Sequence, residues 1–559
     1  MDRKKYIEYM DRALDAYSEE HIRNYFNDVQ KNGLTEHGFP RLTSNIGILI
    51  AFGKRGYLKP LFMEMMEFCC KNIPDVRAAN DFSVREIVSC IQETEKSGSV
   101  DVVTIARWKK YLSEIDPMTC YNVIAKSPTD KVKNWALFTA VSEFFRKKMG
   151  LGGSDAFIDM QIASQLHWLD ENGMYMDERS EIHHPMVYDL VPRALFAMLL
   201  HAGYRGQYFH VIDDCLKRAG LLTLNMQSPN GEVPFGGRSN QFIHNEPWMA
   251  VIYEYEARRY AREGNRALAE KFKAAISRAI GVTEEWLSQE PILHIKNRFP
   301  LDSKYGCENY AYFDKYMITV ASVLFSAYQI SDDSIPVYET RDIQPAVFAT
   351  SNHFHKLFLK AQGYGLEFDL NADSHYDASG LGRIHRENAP SAICLSLPCP
   401  NEPRYEINER KPIALSLCPG WICGEKTIFA NGSDAKYVIE TFSCDEDSAY
   451  ATLKTVFVDG KNLITEYTVN ADGVQIEVSG EGNLAYQLPA FYFDGEIYTE
   501  IAFEENMLSI SYKGWKCRYT TNGRIIDHQE IGANRNGYYQ SYTAISKNHL
   551  CITVEILKL

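Results

Sequence analysis

The stretch LITEYTVNADGVQIEVSG, residues 463–480, alternates apolar and polar side chains on both sides of an Asp-Gly pair. This two-residue period is typical of strands that bury one face, and Asp-Gly between two such runs predicts a tight hairpin. Further alternating stretches from about residue 340 onward include YVIETFSC, ATLKTVFVDG, LSISYKGWKCRYTT and LCITVEILKL. We therefore predict that residues 346–559 form an antiparallel β-sheet domain, a β-sandwich or supersandwich.

The first part of the chain has a different period. Stretches such as KNWALFTAVSEFFRKKMG (133–150), VPRALFAMLLHAG (191–203) and PWMAVIYEYEARRYAREGN (247–265) carry apolar residues three and four positions apart. This spacing predicts one helix after another over residues 1–330. Residues 331–345 are the predicted linker between the two domains.

A helical half followed by an antiparallel half excludes several functional classes. Nucleotide-binding folds need alternating strands and helices, which this chain lacks. The sequence also contains no GxGxxG, phosphate-loop, GxSxG or HExxH motif. The search for function therefore turns to clusters of polar residues.

Composition and charge are those of an ordinary globular protein. The chain has 559 residues, of which 45% are hydrophobic and 24% charged, and its formal net charge is −14. No basic block is present, so nucleic acid is not an expected partner, because phosphate binding needs clustered Lys and Arg. An acidic ligand would need a local group of cations.

Targeting signals and metal motifs are also missing. The first residues have no signal-peptide core, and no window approaches the ~20 apolar residues of a membrane span. We expect a cytoplasmic protein with no membrane partner, or a periplasmic or secreted one if a leader has been removed. The 13 cysteines are scattered and Cys418 and Cys423 have no matching second pair, so we expect reduced thiols, no metal and no cofactor. A homo-oligomer is compatible with the sequence.

Polar clusters lie at or just before predicted helix starts. Asn134 and Trp135 precede an apolar helix, where they could serve as a helix cap and a core residue, or as a carboxylate-binding amide beside a sugar platform. The second cluster, residues 170–193, contains Asp177, His183, His184 and Tyr188 and is followed by an apolar helix. If that helix begins near Pro185, His184 and Tyr188 share a face. A surface salt-bridge network is the structural alternative.

Three more clusters follow along the chain. VPFGGRSNQFIHNEPW (233–248) has two glycines that permit close backbone approach, and it supplies Arg238, Asn240, His244 and Glu246. SKYGCENYAYFDKYM (303–317) is rich in tyrosine, including Tyr310. A row of aromatic residues of this kind is more typical of a buried core than of a binding site. In the sheet half, GRIHRE supplies Arg383, His385 and Arg386, which could be the cations that an anionic ligand needs.

These residues resemble those of a known group of enzymes. A helical half with an antiparallel sheet domain behind it is similar to the chondroitin AC-type and heparinase II/III-like polysaccharide lyases, which implies an (α/α) toroid. Asn134-Trp135 resembles the asparagine motif of those families. NGMYMDERSEIHHPMVYDL is similar to their Asp-Gly, Glu-x-Ser, Tyr-His segment, with Glu178, Ser180 and His184 in place. His183 occupies the tyrosine position, and Tyr188 is the nearest tyrosine.

The resemblance implies cleavage of a uronic-acid-containing glycan by β-elimination without a metal. Removal of the C5 proton requires that the neighbouring carboxylate be neutralised, and Asn134 with Arg238 or His183 could do this. His184 and Tyr188 then fit the roles of base and acid. The remaining predicted substrate-binding residues are Trp135, Asn240, His244, Tyr310, Arg383, His385 and Arg386.

Two other functions remain open from the sequence. A glycoside hydrolase family of β-glucuronidases shares the helical toroid, and a hydrolase needs two carboxyl groups about 5–5.5 Å or ~6.5–9.5 Å apart. Asp177, Glu178 and Glu246 are the candidates for that pair. A non-catalytic glycan-binding protein would instead use the same clusters only to cap helices.

Overall fold

The computed structural model describes residues 2–74, 80–126, 132–177, 180, 182–337 and 344–559. Its α-helices lie up to Ile330 and its named β-strands begin at Ala346. The helices are α1 (Arg3–Ala13), α2 (Glu19–Asn32), α3 (Gly38–Ala51), α4 (Lys59–Asn72), α5 (Asn80–Ser97), α6 (Val102–Ser113), α7 (Pro117–Cys120), α8 (Asn122–Lys126), α9 (Trp135–Lys148), α10 (Asp155–Ala163), α11 (Met186–Ala202), α12 (Phe209–Met226), α13 (Asn245–Arg262), α14 (Arg266–Leu287), α15 (Phe313–Tyr316) and α16 (Thr319–Ile330).

Six of the described helices form a closed inner ring. In order around the ring they are α3, α5, α9, α11, α13 and α16, and α16 contacts α3 again. Other helices pack outside them, α1 on α16, α4 on α3, α10 on α9, α12 on α11 and α14 on α13. The helical half is therefore the (α/α) toroid that the resemblance implied.

The two layers of the toroid differ in burial as their sequences predict. Nearly every residue of α3 is buried, whereas α2 buries only the stripe Ile22, Phe26 and Val29. A helix that is apolar on one side packs on the outside, and a helix buried all round belongs to the interior.

Buried polar contacts close the inner ring. Arg41 of α3 donates through Nε to Glu86 Oε1 of α5 at 2.9 Å. Ser322 of α16 donates to the other oxygen of Glu86 at 3.0 Å and accepts from Asn45 of α3 at 2.8 Å. Because a buried charge is tolerated only when it is paired and hydrogen-bonded, this network fixes how α16 meets α3.

The sheet half consists of two antiparallel layers. The strands are β1 (Ala346–Ala349), β2 (Lys356–Ala361), β3 (Tyr364–Asp369), β4 (Gly380–Arg386), β5 (Pro419–Cys423), β6 (Lys426–Phe429), β7 (Lys436–Cys444), β8 (Ala449–Val456), β9 (Asn462–Asn470), β10 (Gly473–Phe493), β11 (Glu500–Phe503), β12 (Met507–Tyr512), β13 (Trp515–Thr521), β14 (Arg524–Ala533) and β15 (Tyr538–Lys558). β1 to β4 form one sheet and the other eleven strands form a second. One apolar core, which includes Leu357, Leu366, Val474 and Val554, lies between them, so the predicted sandwich is confirmed.

The hairpin predicted from residues 463–480 is confirmed, with its turn shifted by one residue. β9 and β10 pair from Asn470 opposite Gly473, so Ala471 and Asp472 form the turn. Gly473 has φ of +131°, and a Cβ there would lie 2.4 Å from the carbonyl oxygen of Val554 in β15. Glycine at this position therefore allows β15 to approach closely, because any side chain would clash with it.

Specific contacts join the two halves. Asp377 of the sheet half accepts a hydrogen bond from the backbone N–H of Gly237 at 2.7 Å. Arg535 pairs with Glu308 at 2.7 Å, and both side chains are buried. These contacts anchor the 233–248 loop on the sheet half, which therefore supports the segment that carries Arg238.

The predicted linker falls between the last helix and the first strand. α16 ends at Ile330 and β1 begins at Ala346, while residues 338–343 lie outside the described residues. The division into two independent domains stays a prediction. No helix in the described ranges is long and apolar enough to span a bilayer.

Candidate active site

The N-terminal ends of all six inner helices meet at one cavity. Its volume is about 290 Å³, and an outer part of about 390 Å³ continues from it. The two parts share Asn134, Trp135, Tyr188, Lys315 and Tyr316, and we call them together the cleft. The helices contribute His37 and Arg41 (α3), Phe82 (α5), Asn134 (α9), Tyr188 (α11), His244 (α13) and Thr319 (α16). Helix starts favour the binding of anions, and at the start of α3 the carboxylate of Glu36 already accepts from the N–H groups of Gly38 and Phe39.

Asn134 is used for a side-chain contact across the cleft. It occupies the N-cap position of α9, but its side chain makes no capping bond. Its amide instead donates to Asp177 Oδ1 at 2.8 Å. Arg238 reaches the other carboxylate oxygen at 2.7 Å, so Asp177 links two predicted site residues.

Asp177 has an unusual proton affinity for a carboxyl that contacts an arginine. Burial raises its pKa to about 6, and the charge of Arg238 and the bond from Asn134 oppose that rise only in part. Desolvation of a buried carboxylate therefore outweighs its pairing at this position. Such a group changes its charge near neutral pH, as general acids and bases do.

Tyr188 is held beside Arg238. The guanidinium carbon lies 3.9 Å from the centre of the Tyr188 ring, a cation–π contact. The hydroxyl of Tyr188 lies 3.2 Å from Ser239 Oγ, which is 2.5 Å from the hydroxyl of Tyr310. The backbone N–H of Ser239 donates to Glu308 at 2.6 Å, and Glu308 is the partner of Arg535. A chain of contacts thus orients the Tyr188 hydroxyl from the sheet half.

Glycine is required in the loop that carries Arg238. Gly237 has φ of +75°, and a Cβ there would lie 2.9 Å from Cα of Pro185, the N-cap of α11. The neighbouring Gly236 has φ of +141°. The close backbone approach predicted for these two glycines is confirmed, and it brings Arg238 over the start of α11.

Two buried histidines line the inner part of the cleft. Burial, and next the charge of Arg41, hold the pKa of both His37 and His244 well below the ordinary value, so both rings are neutral at neutral pH. Nδ1 of each ring has no hydrogen-bond partner in the described part of the chain. His244 stacks on Phe242 with ring centres 5.0 Å apart. Unsatisfied buried nitrogens that line a cavity are available to a ligand.

The cleft carries more positive than negative side chains. In the described ranges its cations are Arg41, Lys133, Arg238 and Lys315, and its carboxylates are Glu36 and Asp177. Burial lowers the pKa of Lys315, the charge of Glu36 opposes this shift, and the charge of Arg41 adds to it. The charge of the described lining is therefore opposite in sign to the net charge of the chain, but of the cations that the sequence suggested for this purpose only Arg238 contributes to it.

Aromatic rings form the walls. Trp135 meets Phe82 edge-on with ring centres 5.1 Å apart, and Phe138 lies 4.6 Å from Phe82. Trp248 and Tyr316 complete the lining. Flat apolar rings next to polar groups are the surfaces on which a sugar ring packs.

His183 and His184 lie behind the cleft and do not line it. The His183 ring is 5.7 Å from His355, and the His184 ring is 5.8 Å from His353. The pair therefore faces the sheet half, at the junction below α11. The prediction that α11 starts near Pro185 is confirmed, but His184 and Tyr188 do not share a helical face, because His184 precedes the N-cap residue Pro185 and so lies outside the helix.

Glu246 and Asn240 are also turned away from the cleft. Glu246 is fully buried and forms an ion pair with Lys296 at 2.6 Å. Asn240 donates to the backbone oxygen of Pro234 at 3.0 Å and is 1% exposed. Both side chains support the 233–248 loop, and Glu246 is not placed to form a carboxyl pair with Asp177 across the cleft.

Arg383, His385 and Arg386, which were predicted to bind the substrate together with the helical residues, do not line the cleft. Arg383 bonds to Val233 O at 2.8 Å and to Glu367 at 3.1 Å, and with His385 it lines a different cavity. Arg386 contacts the hydroxyl of Tyr364 at 2.6 Å. Strand β4 pairs with β3, and this pairing directs the segment toward α14.

Part of the 170–193 cluster is structural. Asp189 and Arg193 form a fully buried ion pair one helical turn apart, and Tyr175 N–H donates to Asp189 at 2.7 Å. Glu178, the remaining hydrolase candidate, lies outside the described residues. No group of three or more His, Cys, Asp or Glu side chains within the described ranges is placed to bind a metal ion.

Several residues of the cleft were not among the predicted site residues. They are His37, Arg41, Phe82, Lys315, Tyr316 and Trp248. His37 precedes a helix start in HGFP (37–40), much as His184 does in HHP and His244 does in HNEP. A histidine shortly before a proline at a helix start was therefore the signal that could have identified His37.

Comparison with solved structures supports the fold. A mutant of the heparan sulfate lyase HepC from Pedobacter heparinus aligns with a TM-score of 0.51 at 9% identity, over 93% of this chain and 76% of that chain. A heparinase III aligns with a TM-score of 0.37 at 8% identity, over 85% and 77%. A family 88 glycosyl hydrolase from Bacteroides vulgatus aligns with 0.38 at 10%, over 59% and 99%. No protein-family model and no curated protein matches the sequence.

Only the first of these TM-scores exceeds 0.5, and that likeness concerns the fold. The chain has the architecture of a heparinase-like polysaccharide lyase, a helical toroid followed by an antiparallel sheet domain. The expected fold is therefore confirmed.

Proposed function

We propose that this protein is a carbohydrate-active enzyme that cleaves a uronic-acid-containing glycan by β-elimination in the cleft. The observation that carries the proposal is the arrangement of Asn134, Arg238 and Tyr188 around the cleft mouth, with Asp177 bonded to the first two. The lyase fold supports it.

An acidic substrate suits the electrostatics of the cleft. Four cationic side chains and the N-terminal ends of six helices surround it, against two carboxylates. Both kinds of positive group attract a carboxylate or sulfate on the sugar. The aromatic walls accommodate the apolar face of the same sugar ring.

β-Elimination requires that the uronate carboxylate be neutralised. A base removes the proton at C5, the electron pair forms the C4–C5 double bond, and the bond from C4 to the bridging oxygen breaks. The resulting negative charge is shared with the carboxylate, so a fixed cation beside it lowers the barrier. We assign this role to Arg238 and Asn134, both of which contact Asp177.

Tyr188 is the proposed proton-transfer residue. Its half-buried hydroxyl is at the cleft mouth, oriented by Ser239 and next to the charge of Arg238. A positioned tyrosine can take up the C5 proton and return it to the departing oxygen. The roles in carboxylate binding and proton transfer that were expected for His183 and His184 stay predictions. They are not part of this proposal, because both rings lie behind the cleft.

A hydrolase is the second candidate, and one observation favours it. The pKa of Asp177, raised to about 6 by burial, suits a general acid. A hydrolase needs a second carboxyl group, however, and the other one in the described lining is Glu36. Both oxygens of Glu36 are occupied by the start of α3 and by Tyr25.

One incubation separates the candidates. The protein is mixed with a uronate-containing oligosaccharide, and both ultraviolet absorbance and new reducing ends are followed. A lyase raises both signals together, because the C4–C5 double bond conjugates with the carboxylate. Reducing ends without absorbance would indicate a hydrolase. If the oligosaccharide binds but neither signal rises, the protein is a non-catalytic glycan-binding protein and the proposal is refuted.

A further inference from the structure

A larger cavity lies between helix α14 and the sheet half. Its volume is about 800 Å³, within the range of small-ligand sites, and it shares no lining residue with the cleft. Arg278 and Trp286 line it from α14, while His385 and Lys513 line it from the sheet half. We call it the interdomain cavity. The cleft chemistry described above does not use it.

One cation that lines this cavity, Arg278, has no ion pair within the described ranges, and a second cation, Lys360, lies next to it outside the lining. Arg278 lines it and donates to Gln227 Oε1 at 3.2 Å, and Lys360 of β2 donates to the backbone oxygen of the same residue. Neither side chain has an ion pair among the described residues, and Arg278 is exposed while Lys360 is partly buried. Gln227 is buried and uncharged, so it joins the two cations without neutralising them.

The two positive charges affect each other. Burial lowers the pKa of Lys360 to about 7, and the charge of Arg278 lowers it further in the same direction. Burial also lowers the pKa of Arg278, and Tyr253 and Glu387, the latter in the lining of the same cavity, oppose this shift. Two neighbouring cations that share one uncharged partner repel each other, and a bound anion would relieve that repulsion.

The cavity also offers groups for the rest of a ligand. His385 is 1% exposed, and neither ring nitrogen makes a hydrogen bond within the described chain, although Nδ1 lies 3.5 Å from Glu232. Such a side chain is expected to have a partner in solution. Trp286 presents a half-buried ring, with the guanidinium of Arg298 5.7 Å from its centre. An aromatic ring beside donors and acceptors suits a sugar.

We propose that the interdomain cavity is a second binding site, which takes an anionic sugar through Arg278 with the support of Lys360. The anion is a uronate carboxylate or a sulfate group, which share the geometry that a guanidinium recognises. The site extends the contact of the protein with an acidic glycan beyond the cleft. It does not depend on catalysis.

Calorimetric titration of the full chain tests this second site. Tyr188→Phe is used as the background so that turnover does not consume the ligand. The ligands are a uronate oligosaccharide, a sulfated neutral oligosaccharide and the unmodified neutral one. We expect two classes of site before the substitution. Arg278→Gln should weaken binding to one of them at least about tenfold, so that this class is no longer detected. Arg278→Lys, which keeps the charge, should retain more of it.

Arg266→Gln is the matched control, because Arg266 is on the same helix with its side chain 79% exposed. It should leave every site in place. The proposal is overturned if Arg278→Gln binds as many ligands as its background, or if the neutral oligosaccharide binds there equally well. If the cleft itself fails to bind uronate but Arg278→Gln still removes a site, the cavity proposal stands while the proposed function fails.

Discussion

The carboxylate of Asp377, from the sheet half, accepts a hydrogen bond from the backbone N–H of Gly237 at 2.7 Å. Burial raises the pKa of Asp377 from 3.8 to about 7, against the opposing charge of Lys356. The backbone just before Arg238 is therefore anchored to a group that titrates at neutral pH. This contact links the stability of the loop to pH.

Asp377 should make the protein less stable as pH rises. A carboxyl group with a raised pKa in the folded state stabilises the fold fully below its unfolded pKa, and that contribution is lost as pH rises through the folded pKa. Urea unfolding at about pH 5 and about pH 8 should show this loss, and Asp377→Asn should reduce it. Asp434→Asn, a change at an exposed aspartate, should leave the pH dependence unchanged. An identical slope in Asp377→Asn and the wild type would contradict the prediction.

Replacement of Tyr188 by phenylalanine distinguishes the two reaction classes. If Tyr188 transfers the proton, turnover should fall by roughly 10²–10⁴-fold with little change in stability. If the enzyme is a hydrolase, the change removes only a hydrogen bond, on the order of 1 kcal/mol. Tyr312→Phe is the control, because Tyr312 is 66% exposed. Initial rates on one uronate substrate give the answer, and near-normal turnover in Tyr188→Phe would exclude the proposed role.

Asp177 and Arg238 should be energetically coupled. Arg238→Gln leaves a buried carboxylate without its cation, whereas Asp177→Asn with Arg238→Gln leaves no such charge. We expect the double variant to be more stable than the sum of the single effects predicts, by roughly 0.5–3 kcal/mol. The exposed pair Arg23 and Glu19 should give a coupling of only about 0–1 kcal/mol. Equal couplings for the two pairs in urea unfolding would argue against a buried contact.

Gly237→Ala should disturb the loop through a steric contact. The new Cβ would lie 2.9 Å from Cα of Pro185, in addition to the cost of positive φ. Gly264 has a similar φ of +79° but no atom within 4 Å, so Gly264→Ala reports the backbone cost alone. Positive φ costs roughly 1–3 kcal/mol at a non-glycine residue. Gly237→Ala should lose more unfolding free energy than Gly264→Ala and should also lower turnover. Equal losses would show that the loop moves to accommodate the added methyl group.

Glu246→Gln should reduce stability and spare the chemistry. Removal of one partner from the buried pair with Lys296 typically costs 3–5 kcal/mol, because the remaining charge is unpaired. The thermal midpoint should therefore fall, while turnover per folded molecule at low temperature is largely kept. A fully folded Glu246→Gln protein without activity would instead return Glu246 to the list of catalytic groups.

Local patterns predicted much of the fold and part of the site. The 463–480 hairpin and the helix starts at Pro185 and Asn245 follow from period and turn residues, which act over a few positions. Asn134 and Tyr188 were found because they stand beside such starts.

Contacts between distant segments could not be obtained in this way. Arg41 bonds to Thr319 at 2.5 Å, although 278 positions separate them, because α16 closes the ring on α3. Arg383, His385 and Arg386 were predicted to bind the same ligand as the cleft residues, and this failed for a related reason. The direction of β4, which carries them, is set by its pairing with β3. Long-range pairing leaves no local signal in a single sequence.

The convergence of six helix starts on one cavity also bears on how fast a substrate arrives. Each helix start carries the equivalent of about half a positive charge, so six together supply on the order of three. This charge belongs to the backbone, and neither pH nor the loss of any single side chain removes it. On a molecule with a net charge of −14, such a fixed positive opening would guide the acidic glycan proposed above to one place on the surface. Encounter with an acidic chain should accordingly be rapid at low ionic strength and slow steeply as salt is added.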